Sequence, residues 1–146
     1  MTHADEGRYS AKHAPGKKMD EKIAAAVREK VANGKLACAD AELIGAKIGV
    51  TLAEVGRTLD LLEVRITRCQ LGLFGYDGEA KGKSVRPAGQ VTPEIEGAVL
   101  GHLAGGRLPC TAAWEIAAEM NIPRMMVSST CETLKIKIKP CQLGAF

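Results

Sequence analysis

Hydrophobic and polar positions along the chain follow two spacings, one typical of helices and one typical of short strands. Ile23, Val27 and Val31 recur every four residues after Asp20, which predicts an amphipathic helix capped by that aspartate. Apolar residues continue at helical spacing over residues 39–48 and 55–62. Charged and branched residues then alternate over residues 65–69, which predicts a strand. With a short strand at 35–38, the predicted order is helix, strand, helix, helix, strand.

The same order recurs in the second half of the chain, because the sequence is duplicated. Residues 20–74 align with residues 92–146 without a gap, and 19 of the 55 aligned positions are identical. The identities include the run Cys-Gln-Leu-Gly at 69–72 and 141–144. We therefore predict a tail (1–18), a first repeat (19–76), a linker (77–90) and a second repeat (91–146). Each repeat is small enough that we expect the two to pack on each other.

Charge and composition narrow the class of protein. Both aligned copies carry equal numbers of basic and acidic residues, so the net charge of +3 lies in the basic tail and the connecting segment. No run of 18 apolar residues occurs, and the first 18 residues are polar, so we expect neither a membrane span nor a signal peptide but a cytoplasmic protein. Aromatic residues make up only 3% of the chain, which argues against a stacking platform for single-stranded nucleic acid.

The residues around the turn between the second and third helices carry a family resemblance. Residues 116–123, followed by Val127, place a small residue inside helix two, Asn121 at a left-handed turn position, an apolar residue next and a branched residue on helix three. Residues 44–50, followed by Val55, are a weaker version. Both stretches resemble the winged helix-turn-helix family. The resemblance implies a mainly α fold with short β ribbons, a three-helix bundle in each repeat, and here a vestigial wing.

The resemblance also implies binding to double-stranded DNA, with the third helix in the major groove. The candidate DNA contacts are Arg124, Ser128, Ser129, Lys135, Lys137, Lys139 and, in the first copy, Arg57. Lysines at alternate positions of the last strand would share one face and meet phosphates, although the same alternation also protects an edge strand from aggregation. The third helix of the first copy is expected to expose Glu54, Gly56, Asp60 and Glu63, so copy two should dominate DNA affinity. We predict a small transcription regulator.

Two other function classes follow from the same residues. The neutral copies are also compatible with a protein-protein interaction module, or with an accessory subunit of a larger and possibly redox-active complex. An enzyme is not expected. His3, His13 and His102 lie in the tail or on a first helix, and no catalytic-triad, metalloprotease, phosphate-loop or dinucleotide motif accompanies them.

The cysteines repeat with the duplication. Those at equivalent positions in the two copies are Cys38, Cys69, Cys110 and Cys141, each pair being separated by 31 residues. Pairing of the first and last strands would bring the two members of each pair together, either as small buried hydrophobes or, if the copies face each other, as four ligands for zinc or an iron–sulfur centre. No Cys-x-x-Cys motif is present, so no metal or other cofactor is expected. Cys131 aligns with Leu59 of the predicted core and is expected only to pack.

Overall fold

The structure, a computed structural model, describes residues 19–79 and 81–146. The described part confirms the mainly helical class, with six α-helices and one two-stranded sheet. The first repeat contains α1 (Glu21–Lys30), β1 (Lys35–Ala37), α2 (Cys38–Ile48), α3 (Leu52–Leu61) and β2 (Arg65–Thr67). The second contains α4 (Pro93–Gly101), α5 (Cys110–Met120) and α6 (Arg124–Leu134). The predicted basic tail, residues 1–18, lies outside the described residues.

Local side-chain chemistry sets where the helices begin. The Asp20 carboxylate accepts hydrogen bonds from two backbone N–H groups of α1, and Thr92 caps α4 in front of a proline at its first position. Helix α3 begins with a capping box, in which Thr51 Oγ1 accepts from the Glu54 N–H and the Glu54 carboxylate accepts from the Thr51 N–H. These contacts satisfy backbone donors that a helix leaves unpaired at its first turn.

The turns between second and third helices are equivalent in the two repeats. Helix α2 ends at Gly49 with φ +80°, and α5 ends at Asn121 with φ +55°. Both residue types tolerate the left-handed conformation that such a helix end requires. The turn predicted from the sequence is therefore present in both copies.

The strands differ between the repeats. In the first, β1 and β2 pair in parallel, with Leu36 opposite Ile66. In the second, the described residues contain only a single parallel bridge, between Leu108 and Ile138. The predicted strands over 107–110 and 135–139 are thus largely wrong. The Leu108 N–H donates to the Lys137 carbonyl, and the Lys139 N–H donates to the Leu108 carbonyl.

The two repeats share one core, because the segment after the last strand of each repeat packs on the other repeat. The Ser128 hydroxyl on α6 donates to the Leu71 carbonyl at 2.6 Å. The backbone of Gly56 on α3, at the equivalent position, approaches the Leu143 carbonyl closely. Phe74 and Phe146, also equivalent, meet edge to face with ring centroids 5.8 Å apart. The repeats are therefore related by an approximate two-fold arrangement with these segments at its centre.

The connecting segment is held against α6. The Ala88 N–H donates to the Ser129 carbonyl at 3.1 Å, and Thr133 Oγ1 donates to the Ala88 carbonyl at 2.9 Å. Lys83 forms an ion pair with Glu132. The longest of the described helices have 11 residues, and none of them combines the length and apolarity that crossing a membrane requires.

Candidate functional site

One face of each third helix is covered by the other repeat, which corrects part of the sequence-based assignment. Ser128, a candidate DNA contact, is completely buried against Leu71. Gly56 and Asp60, expected on the outer face of α3, are buried as well, and Asp60 is only 2% exposed. Helix periodicity within one repeat predicted these faces to be open, but the partner repeat covers them. Ser128 and Asp60 are therefore not exposed for contact with DNA.

Arg124, the predicted base-reading residue, instead joins the two repeats. Its guanidinium donates to both Glu42 carboxylate oxygens, at 2.8 and 2.9 Å, and to Gln70 Oε1 at 2.8 Å. It also lies over the ring of Trp114, 3.7 Å from the ring centroid. The Glu42 hydrogen bond is the main reason that the pKa of Arg124 is raised. The same hydrogen bond is the main reason that the pKa of Glu42 lies below its ordinary value of 4.5.

We expect a double-mutant cycle with Glu42→Gln and Arg124→Ala to give a coupling free energy of about 1 kcal/mol in urea unfolding at neutral pH. A bidentate, charge-assisted hydrogen bond favours a larger coupling free energy. Both side chains are about one-third exposed, however, and solvent screens the attraction between their charges. Because folding lowers the pKa of Glu42, the coupling should be complete above pH 4.5 and disappear as the pH falls through the lowered value. A coupling that is unchanged at acidic pH would contradict the ion pair.

The two remaining helix candidates occupy different places. Ser129 is half-buried on α6, and its backbone carbonyl accepts a hydrogen bond from the Ala88 N–H of the connecting segment. Arg57, half-buried on α3, lines a cavity of about 330 Å³ together with Asp60 and Gln142. This cavity lies where α3 meets the last segment of the second repeat. Arg57 therefore lies at the edge of the contact between the repeats.

The three candidate lysines after α6 are exposed and converge on one cleft, which we call the lysine cleft. It has a volume of about 590 Å³ and is lined by the lysines Lys83, Lys135, Lys137 and Lys139. Glu132, already paired with Lys83, is the one acidic side chain among the lining residues. Ile138 and Phe146 contribute apolar surface. Positive charge is thus concentrated here, although the second repeat as a whole is neutral.

The repeated cysteines are Cys38, Cys69, Cys110 and Cys141, of which the first three are buried and the last is half-buried. Cys38 and Cys110 begin α2 and α5, while Cys69 and Cys141 begin the segments that cross to the other repeat. Burial raises the pKa of the Cys38 thiol to about 12 and that of Cys110 to about 11. Among the described residues, no group of three or more His, Cys, Asp or Glu side chains is placed to hold a metal ion.

Sequence reasoning missed three functional neighbours of Arg124, namely Glu42, Gln70 and Trp114. A signal did exist. Glu42 and Trp114 occupy equivalent positions in the two copies but differ completely in chemistry, as do Leu52 and Arg124. At these two pairs of positions the contact is made by one copy only. Comparisons with protein-family models, with curated proteins and with solved structures found no match for this chain.

Proposed function

We propose that the chain is a duplicated winged helix-turn-helix protein that binds double-stranded DNA by its phosphate backbone, without catalytic chemistry of its own. The observation that carries the proposal is the lysine cleft, where Lys135, Lys137 and Lys139 are exposed around one depression. Lysine neutralises phosphates as a point charge, and phosphate neutralisation supplies most non-specific DNA affinity.

The element order supports the repeat assignment. Each copy has a first helix, a short extended segment, two helices joined by a left-handed turn and a final extended segment that returns to the first. This is the order of a winged helix-turn-helix unit in which the wing is reduced. Ser128 and Asp60 are buried, so the proposed contact uses the segment after α6.

The distribution of charge supports the same site. Three of the five basic residues of the second repeat fall at positions 135, 137 and 139, whereas four of its five acidic residues lie on α4 and α5. The equivalent positions in the first repeat are Glu63, Arg65 and Thr67, which carry no net charge. A single-sign cluster attracts a polyanion even when the domain is neutral overall. Backbone binding of this kind implies weak sequence preference.

The test measures DNA affinity of the full chain at several salt concentrations. Replacing Lys135, Lys137 and Lys139 together with alanine should flatten the slope of log affinity against log salt by up to about 2.7, because three fewer counterions are released. The matched control replaces three exposed lysines of the first repeat, Lys22, Lys30 and Lys47, and so removes the same charge elsewhere. The proposal would be refuted if the control variant flattened the salt slope more than the Lys135, Lys137 and Lys139 variant does. It would also be refuted if the unaltered chain did not bind DNA.

A protein-interaction module is the second candidate, and exposed apolar side chains favour it. Leu43, Leu100 and Met126 are the large apolar side chains left most exposed among the described residues, at 63%, 51% and 47%. If the chain fails to bind DNA at low salt, this candidate takes first place.

A further inference from the structure

The lysine cleft has an apolar floor beneath its charged rim. Along residues 135–139 the three lysines are exposed, whereas Ile136 is half-buried and Ile138 is buried. Leu73 and Phe146, both half-buried, line the same cleft. Ammonium groups and apolar side chains therefore lie within one depression of about 590 Å³.

Backbone hydrogen bonds fix the segments that form the cleft. The Leu108 N–H donates to the Lys137 carbonyl at 3.0 Å, and the Lys139 N–H donates to the Leu108 carbonyl at 2.9 Å. In the connecting segment, the Val85 N–H donates to the Gly72 carbonyl at 3.0 Å, next to Leu73 in sequence. Because these bonds belong to the fold, the cleft is formed without a ligand, as small-molecule sites usually are.

The other polar groups of the cleft leave its positive charge in excess. The Ser128 hydroxyl is engaged with the protein, since it donates to the Leu71 carbonyl at 2.6 Å. Glu132 forms an ion pair with Lys83. Even when the terminal carboxylate at Phe146 is counted with Glu132, four lysines face two carboxylates. A ligand that complements the cleft must therefore carry negative charge.

The apolar positions of the lysine segment repeat in the first copy, but its lysines do not. Ile136 and Ile138 align with Val64 and Ile66, which are buried in the first repeat. The three lysines align with one acidic, one basic and one neutral residue. Lys83 lies in the connecting segment, outside both aligned copies. The isoleucines thus belong to the repeated fold, whereas the fold does not require the lysines.

We propose that the lysine cleft binds a small organic anion with an apolar body, whose acidic group contacts the lysines and whose body covers the apolar floor. The cleft volume falls within the range of about 300 to 1,000 Å³ that is usual for small-molecule sites. A bare anion would leave the floor in contact with water, and an uncharged apolar molecule would leave the lysines without an opposite charge. This inference goes beyond the proposed DNA contact, because a phosphate at the rim leaves the floor uncovered. The two ligands would compete for the same lysines.

The experiment measures binding of small probes to the full chain by titration calorimetry at low salt, without DNA. Octanoate and phenylpropanoate combine a carboxylate with an aliphatic or an aromatic body, acetate has almost no body, and octanol has no charge. Each buried methylene group raises affinity about fourfold, so burying two of them should make octanoate bind about 16-fold more tightly than acetate. Octanol should bind about tenfold more weakly than octanoate, because it forms no charge pairs. The stronger of the two apolar anions identifies the body that the floor prefers.

Two pairs of variants test the rim and the floor separately. Replacing the three lysines of residues 135–139 with alanine should weaken octanoate binding about tenfold or more, at about two- to fivefold for each screened charge pair. The triple lysine control in the first repeat, used above for DNA, should leave it unchanged. For the floor, Leu73→Asn should weaken octanoate binding about fourfold or more. Leu103→Asn is the matched control, because Leu103 is also half-buried against the core but does not line the cleft.

A measurement on the unaltered chain guards against variants that fail to fold. Octanoate should shift the NMR amide signals of residues 131–139 and of Leu73 and Phe146. The proposal is overturned if neither apolar anion binds, if acetate or octanol binds as tightly as octanoate, or if the shifted signals lie outside the cleft. It is equally overturned if either control loses as much affinity as its matched variant. Anion binding without DNA binding would refute only the proposed function, and DNA binding without anion binding would refute only this inference.

Discussion

Neither repeat is expected to fold alone when expressed as residues 19–76 or 90–146. A chain of about 55 residues hides only about 60% of its unfolded surface, and separation would expose side chains that the other repeat now covers. Leu71 is fully buried and Phe74 is 6% exposed in the intact chain. Fully burying one such side chain contributes about 1.5 to 3 kcal/mol to stability. Exposing several of them would therefore remove much of a free energy of unfolding of about 5 to 15 kcal/mol.

Far-UV circular dichroism and amide dispersion in NMR spectra are the measurements. Each fragment should have little helix at low concentration, and mixing the two should restore the spectrum of the intact chain. The Ser128 and Arg124 contacts would then re-form between separate molecules. Two well-dispersed, stable monomers would show that the shared core is not needed for folding.

The helices were predictable because their signals are local. Asp20, Thr92 and Pro93 mark helix starts, and apolar residues three or four apart mark one buried face. The duplication supports each predicted helix, since the same spacing of apolar residues occurs in both copies. Helix α2 begins at Cys38 and α5 at Cys110, each within one residue of the predicted start.

The strands of the second repeat were predicted less well because alternation alone does not form a sheet. Residues 135–139 alternate lysine and isoleucine, yet only Ile138 pairs with a strand partner. Lys135 itself adopts φ +58° as the cap of α6, which is incompatible with an extended strand.

The candidate site was harder to predict because its contacts join distant parts of the chain. Arg124 contacts Gln70, and Phe74 contacts Phe146 across the approximate two-fold arrangement. The spacing of apolar residues along one helix does not indicate whether another part of the chain covers its polar face. Two local features did indicate a covered face. One is a glycine in the middle of α3, and the other is the set of apolar residues after the last strand of each repeat, where a wing would be polar.

The substitution Gly56→Ala is expected to destabilise the protein by about 3 kcal/mol or more, the upper range for overpacking. A methyl group at Gly56 would overlap the Leu143 carbonyl oxygen, which is backbone and cannot rotate away. The equivalent residue, Ser128, is accommodated because its hydroxyl donates to Leu71 at 2.6 Å, so the same position in the second repeat holds a side chain. The expected loss outweighs the usual gain of up to about 1 kcal/mol from replacing a helix glycine with alanine.

Gly97→Ala is the matched control, because Gly97 also lies in the middle of a helix, α4, but has open space where the methyl group would go. Urea unfolding should show Gly97→Ala to be neutral or more stable by up to about 1 kcal/mol, and Gly56→Ala to have a much lower midpoint. The size of the difference separates packing between repeats from helix propensity, since propensity changes equally in both. If both variants are stabilised alike, α3 does not pack on the last segment of the second repeat, and the face of α3 is open for a partner after all.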